Sequence, residues 1–343
     1  MVFLRTLRLR PAAAISTEIL RLWFTARDAQ LAASTLAAPG TRATTSRDGG
    51  PGFNILLWSV PDGARMSSPN TWAMGGAPAP EAVAFQPAGG VPVVAGLVSR
   101  GGSVAGLRLE VHDLSGQLGA VSGDVAVRAP VAWGFGGQAL AGVSVRDPRR
   151  VVVMGVERKL GARMGTVKMG QTVLGHLEEV KLLGFMPGAP PRHPGAVVSA
   201  GRDGYVRVTD AGSGRTLKRI QVGTRSSPSL MQVAPVGGRV VTVWGRDVVV
   251  WDVDTGRVQS YNLDAVRDTE GWPLAISPDA RYLVCRNEDG FDVSDVETGQ
   301  FRGDFAWPAA PIVAAAFDST GTRLAVGDME GLIQLFDVVT GDA

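Results

Sequence analysis

His176, Ser199 and Asp203 are the residues of this chain whose types and spacing could do chemistry together. An imidazole that takes a proton from a hydroxyl, while a carboxylate orients the imidazole, is the arrangement that performs acyl transfer. The other reactive groups are scattered. The histidines His112, His176 and His193 share no close ligand spacing, and the single cysteine, Cys285, excludes an intramolecular disulfide and the common zinc frameworks. Cys285 ends the run Tyr282-Leu283-Val284-Cys285, a buried-strand pattern that predicts a packed thiol rather than a nucleophile. Gly134-Phe135-Gly136-Gly137 lacks the Gly-Lys-Ser/Thr of a phosphate loop and precedes no helix pattern, so it reads as a turn. No cofactor or metal site follows from these positions.

What the trio does depends on the elements that carry it. In the last third of the chain an alternating strand, a turn and a second strand recur, the second strand closing on Thr209-Asp210, Trp251-Asp252, Ser294-Asp295 and Phe336-Asp337. The steps between these dipeptides are 42, 43 and 42 residues. Four strands per unit at that period predict a β-propeller, because a lone four-stranded sheet cannot bury both of its faces. Weaker units precede the clear ones, in Val83-Ala84-Phe85, Leu109-Glu110-Val111-His112-Asp113, Val131-Ala132-Trp133 and Val151-Val152-Val153-Met154. The expectation is one all-β domain over 1–343, a seven-bladed β-propeller of four-stranded antiparallel blades. The blades span approximately 15–70, 71–125, 126–172, 173–224, 225–265, 266–307 and 308–343. The final repeat stops after its third strand, and Leu7-Arg8-Leu9-Arg10 alternates as an outer strand does. Residues 1–14 are therefore expected to complete the C-terminal blade and close the ring. The same segment, with three arginines and no acid before Glu18, also has the composition of a targeting sequence.

Gly175-His176, Ser199-Ala200-Gly201-Arg202-Asp203-Gly204, Trp251-Asp252 with Val253-Asp254-Thr255-Gly256, and Ser277-Pro278-Asp279 resemble the WD40-repeat family. The resemblance is strongest over residues 170–343 and rests on pattern alone before that. It implies that His176, Ser199 and Asp203 form a structural hydrogen-bond network rather than a catalytic triad. In that network a tryptophan at the end of the third strand is the fourth member, and here Thr209 stands in its place.

Aligning the units puts an arginine just before the turn aspartate, or its equivalent, in five of them: Arg47, Arg100, Arg146, Arg202 and Arg246. The last two units have Glu288-Asp289 and Met329-Glu330 instead. In the WD40 family this address borders the central channel, which implies a partner-binding top face. Guanidinium forks suit carboxylates and phosphates, so an acidic or phosphorylated protein or peptide is the expected partner. The chain is then a non-catalytic interaction scaffold, a subunit of a larger complex. Lys+Arg 34 against Asp+Glu 32 leaves +2, so any attraction must come from local clustering. A basic face for nucleic acid or anionic lipid head groups is the alternative, and a propeller enzyme a further one. Nucleic acid would call for clustered cations with stacking aromatics, whereas Trp23, Trp58, Trp72, Trp133, Trp244, Trp251, Trp272 and Trp307 fall mostly at strand positions. No apolar run is long enough to span a bilayer, and the lack of disulfides fits a cytoplasmic or nuclear protein.

Overall fold

A computed structural model describes residues 2–8, 15–25, 28–37, 53–60, 65–66, 83–85, 93–99, 107–113, 121–124, 127–134, 139–157, 165–186, 195–222, 226–235, 237–263, 272–307 and 310–338. These residues form strands in six sheets. After β1 (Val2–Arg8), the first sheet takes β2 (Ile15–Thr25), β3 (Gln30–Ala37), β4 (Phe53–Ser59) and β5 (Arg65–Met66) in chain order. The next strands are β6 (Val83–Phe85), β7 (Val93–Ser99), β8 (Leu107–Asp113) and β9 (Val121–Asp124), then β10 (Val127–Trp133), β11 (Ala139–Ser144), β12 (Arg150–Glu157) and β13 (Gly165–Leu174). Each of these two groups pairs consecutively and antiparallel, as expected, but the groups are not separate. Their outer strands β9 and β13 meet in parallel, at Gly165↔Val121 and Thr166↔Ser122, giving one eight-stranded sheet. An outer strand leaves one row of backbone N–H and C=O groups unpaired, and two such edges satisfy each other.

Three four-stranded sheets follow in strict chain order. They are β14 (Val180–Met186), β15 (Ala196–Gly201), β16 (Tyr205–Asp210) and β17 (Thr216–Gln221); β18 (Pro228–Val233), β19 (Arg239–Trp244), β20 (Asp247–Asp252) and β21 (Val258–Asn262); and β22 (Trp272–Ile276), β23 (Tyr282–Arg286), β24 (Gly290–Asp295) and β25 (Phe301–Ala306). The last sheet contains β26 (Ile312–Phe317), β27 (Arg323–Asp328) and β28 (Leu332–Asp337), and β1 is its fourth member. β1 runs antiparallel to β28, from Val2↔Asp337 to Arg8↔Leu332. It lies N-terminal to much of the alternating Leu7–Arg10 run, of which Leu9 and Arg10 are outside the described residues.

The repeated aspartate is a turn device. After β16, Asp210 accepts the Ser213 N–H (2.6 Å) and Oγ–H (2.7 Å) while the Gly214 N–H donates to its carbonyl (2.9 Å). Asp252 repeats this with Thr255 (2.8 Å) and Gly256 (2.8 Å), and Asp295 with Thr298 (3.0 Å) and Gly299 (2.8 Å). The glycines sit at φ of 72°, 79° and 69°, left-handed backbone that a residue with a Cβ adopts only at a cost. Thus Asp-x-x-Ser/Thr-Gly reverses the chain into each outer strand without orphaning backbone groups.

The apolar core lies between sheets rather than inside any one of them. β15 is buried at every position because its alternating side chains feed two cores. Val197 packs with Val143, Val151 and Phe185 on one side, and Val198 packs with Val240, Trp244 and Trp251 on the other. The same arrangement joins β18–β21 to β22–β25 through Val241, Val250, Leu283 and Cys285. Phe291, Leu324 and Phe336 join β22–β25 to β26–β28. Cys285 is buried, as its sequence setting predicts. The first sheet packs on the last, with Ile19, Leu22, Leu31 and Trp58 against Ala325, Ile333 and Leu335. The Ser319 N–H donates to Asp28 Oδ1 (2.9 Å) across the same junction. Each fully buried Val, Leu or Phe contributes about 1.5–3 kcal/mol, so these interfaces dominate stability.

Close backbone approach makes one glycine here irreplaceable. A Cβ on Gly290 would lie 2.0 Å from the Phe305 carbonyl oxygen and 2.8 Å from the Trp307 nitrogen. Gly290→Ala is expected to cost more than about 2 kcal/mol in a denaturant melt, whereas Gly155→Ala changes stability by less than about 0.5 kcal/mol. Gly155 is the control because a Cβ there meets nothing within 4 Å. Equal midpoints for the two variants would contradict the Gly290 geometry.

Candidate functional site

The structure brings His176, Ser199 and Asp203 together from three positions. His176 lies in the link from β13 to β14, its backbone N–H donating to the Arg149 carbonyl (3.2 Å). Ser199 is on β15, and Asp203 is in the turn to β16. His176 Nδ1 is 2.8 Å from Asp203 Oδ1, and Nε2 is 2.8 Å from Ser199 Oγ. All three are satisfied when Nδ1 carries the proton and donates to Asp203, while the Ser199 hydroxyl donates to Nε2. Asp203 also accepts the Leu177 N–H (2.8 Å) and the Tyr205 N–H (3.2 Å). One carboxylate therefore ties the incoming link to the turn between the second and third strands. A Cβ on Gly201 would stand 2.4 Å from His176 Nδ1, which is why the ring can lie flat against that strand end.

The hydrogen-bond order is that of a hydrolytic triad, but the setting differs. The His176 and Asp203 side chains are 0% and 2% exposed and Ser199 is 4% exposed, so the hydroxyl faces its partners rather than a substrate. Burial holds the His176 imidazole below its ordinary pKa of 6.5, and the bond to Asp203 only partly offsets this. For Asp203 burial acts upward, but the bonds from His176, Leu177 and Tyr205 outweigh it and leave the carboxyl below 3.8.

Arg207 extends the network, and sequence reading did not single it out. It stands opposite Ser199 across β15 and β16, its side chain is largely buried, and Nη2 is 3.6 Å from Asp203 Oδ2. Its guanidinium lies 5.1 Å from the Tyr205 ring centroid. Thr209, at the address of the family's tryptophan, is buried further along the same strand.

The corresponding junction between β25 and β27 is built from different residues. Trp307, in the link from β25 to β26, donates its indole N–H to Asp328 Oδ2 (3.1 Å). Asp328 Oδ1 accepts the N–H groups of Glu330 and Leu332, each at 2.9 Å. Trp307 and Asp328 thus make the same kind of link-to-turn contact as His176 and Asp203, although Asp328 sits at the end of β27, in the register of Gly201 rather than of Asp203. The available signal was position relative to the next strand, since Trp307 precedes β26 much as His176 precedes β14.

Of the five candidate arginines, Arg47 and Arg100 lie outside the described residues. Arg146, Arg202 and Arg246 all fall in turns joining the second strand of a unit to its third, Arg146 and Arg202 exposed and Arg246 half-buried. The turns differ in length. Trp244 pairs directly with Asp247, so Arg246 shares a two-residue reversal with Gly245 (φ 62°), whereas Arg202 sits in a longer turn before Asp203. The neighbouring aspartates have other partners. Asp147 accepts from Arg149 (2.8 Å) and Arg150 (3.1 Å), and the Arg149 hydrogen bonds lower its pKa to about 2. Asp247 accepts from Asn262 (2.7 Å). Among the described residues no His, Cys, Asp and Glu side chains are grouped to hold a metal ion.

A pH dependence follows from the network. As pH falls below 6.5 the unfolded chain protonates its histidine before folded His176 does, so stability present above that value is lost. Asp203 adds a second loss in the same direction as pH falls through 3.8. His176→Asn is expected to lower stability by about 1–3 kcal/mol at pH 7.5, leaving Asp203 without its main donor. It is also expected to flatten the decline in melting temperature between pH 7 and 5. An unchanged slope would show that His176 does not carry that dependence.

No protein-family model matches the chain. Over 92 residues it is 34% identical to a WD repeat-containing protein, SL1-17, of Schistosoma mansoni. That match covers 26% of this chain and 30% of the length of that protein. The recurring Trp-Asp-type dipeptides, the four-stranded antiparallel groups, the His176–Ser199–Asp203 network and this partial match all fit the WD40-repeat family.

Proposed function

We propose that the seven four-stranded groups form one β-propeller ring, closed where β1 joins β26–β28, and that the ring is a non-catalytic scaffold for protein partners. Support for closure comes from the antiparallel β1–β28 register and from the packing of the first sheet on the last. One contrast carries the functional reading: the residues able to do chemistry are buried and committed to each other, while Arg146 and Arg202 stand exposed on turns at the same strand ends. A carboxyl-rich or phosphorylated peptide fits such a face, because each guanidinium offers a planar pair of donors and the adjacent aspartates are already engaged. Arg246 adds a third cation, and the sequence alignment of the units alone adds Arg47 and Arg100, which lie outside the described residues. The proposed setting is a larger complex in the cytoplasm or nucleus.

A phosphoserine peptide flanked by glutamates is the probe. Joint Arg202→Ala and Arg246→Ala is expected to raise its Kd about tenfold, about 1.4 kcal/mol, and wild-type affinity is expected to fall as salt rises. Unchanged affinity in a double variant that melts like wild type would remove the arginines from the binding surface. Binding of RNA or anionic vesicles in preference to the peptide would favour the basic-face alternative.

A further inference from the structure

The exposed charge on these turns changes sign along the chain of sheets. Arg146 and Arg202 mark the earlier turns; Glu288 and Asp289, between β23 and β24, and Glu330, between β27 and β28, mark the later ones, all exposed. Beside the acidic turns lies a groove of about 310 Å³, walled by Trp272, Arg286, Glu288, Asp289, Trp307 and Pro311. Trp272 opens β22 and pairs with Arg286 at the end of β23, yet it is 60% exposed. A large apolar side chain exposed in a groove rimmed by polar residues is the kind of surface that ligand-binding grooves present.

The walls are fixed in place. Arg286 donates from Nη1 to the Ile312 carbonyl (3.1 Å), and the Trp307 indole N–H is held by Asp328. The Met329 N–H donates to the Pro311 carbonyl (3.2 Å), which sets Met329, 45% exposed, and Glu330 beside the Pro311 wall. The result is a surface of tryptophan and proline with the Glu288 and Asp289 carboxylates in its wall and Met329 and Glu330 on the adjoining turn. Arg286 supplies the opposing cation, and a negative excess remains.

We infer that this groove receives a basic segment of a protein partner, with an arginine or lysine over the face of Trp272 and its charge met by Glu288 and Asp289. An indole attracts a cation through its quadrupole, and carboxylates at its edge strengthen the hold by charge-assisted hydrogen bonds. The surface is separate from the arginine-bearing turns and selects the opposite charge. One ring would then engage two unlike segments at one end, each repelled from the other's site.

The test is fluorescence anisotropy of the full chain with a labelled peptide of four Arg-Gly repeats, and with the matching Glu-Gly peptide. The Arg-Gly peptide is expected to bind and to weaken with salt. Trp272→Ala, and Glu288→Gln with Asp289→Asn, are each expected to raise its Kd about tenfold, and Glu288→Lys with Asp289→Lys to abolish binding. Arg202→Ala with Arg246→Ala is expected to leave it unchanged. The inference is overturned if the Arg-Gly peptide does not bind at millimolar protein, or if the Gln/Asn variant, melting like wild type, binds it undiminished. It is equally overturned if the Glu-Gly peptide depends on Trp272 to the same degree. Because the phosphoserine peptide reports on Arg202 and Arg246, failure of either surface is visible while the other still binds.

Discussion

Sheet-on-sheet burial is the constraint from which the rest of this molecule follows. A four-stranded sheet has two apolar faces, and from β14 to β25 the inner strands cover both by packing against the sheets before and after them. β15 shows the consequence, with Val197 in one interface and Val198 in the next. Strands placed this way read as nearly continuous apolar runs rather than as a clean alternation. Val240–Val243 and Val248–Trp251 are runs of this kind, interrupted only by Thr242, whose hydroxyl accepts the Trp244 indole N–H (2.9 Å). With both faces consumed, strand ends and outer strands are what remain for recognition.

Polar residues at the strand ends keep successive sheets in register. The His176–Ser199–Asp203 network pins a link to a turn, and Trp307–Asp328 does the same three sheets later with an indole in place of the imidazole. The shared requirement is a buried carboxylate that caps turn N–H groups and meets a ring N–H from the incoming link. Either ring satisfies it, and a buried polar group left unmet would be costly. This freedom explains how the repeats diverge in residue type while the junctions persist.

Function is then confined to what the packing leaves exposed. The trio with the chemistry of a triad is sealed from solvent, whereas the turns beside it carry arginines in one sector and carboxylates, tryptophan and methionine in another. A rigid frame that presents unlike surfaces at one end is suited to holding partners in a fixed relation. The fit to the WD40-repeat family is consistent with that proposed use, in which the charges on the turns would supply the selectivity.

By itself the sequence determined the period, the strand-rich class and the trio's membership in one unit, because these depend on local alternation, turn chemistry and short spacing. The Asp-x-x-Ser/Thr-Gly reversals were legible for the same reason: every hydrogen bond in them spans only a few residues. Tertiary structure decided the rest. The parallel contact of β9 with β13, the place of Arg207 beside Asp203, and the exchange of His176–Asp203 for Trp307–Asp328 arise from residues brought together across strand registers and links. The groove around Trp272 arises in the same way, and its indole had looked like one more strand aromatic. Alternation says that a side chain leaves a strand on one face or the other; only the neighbouring sheet decides whether that face is covered.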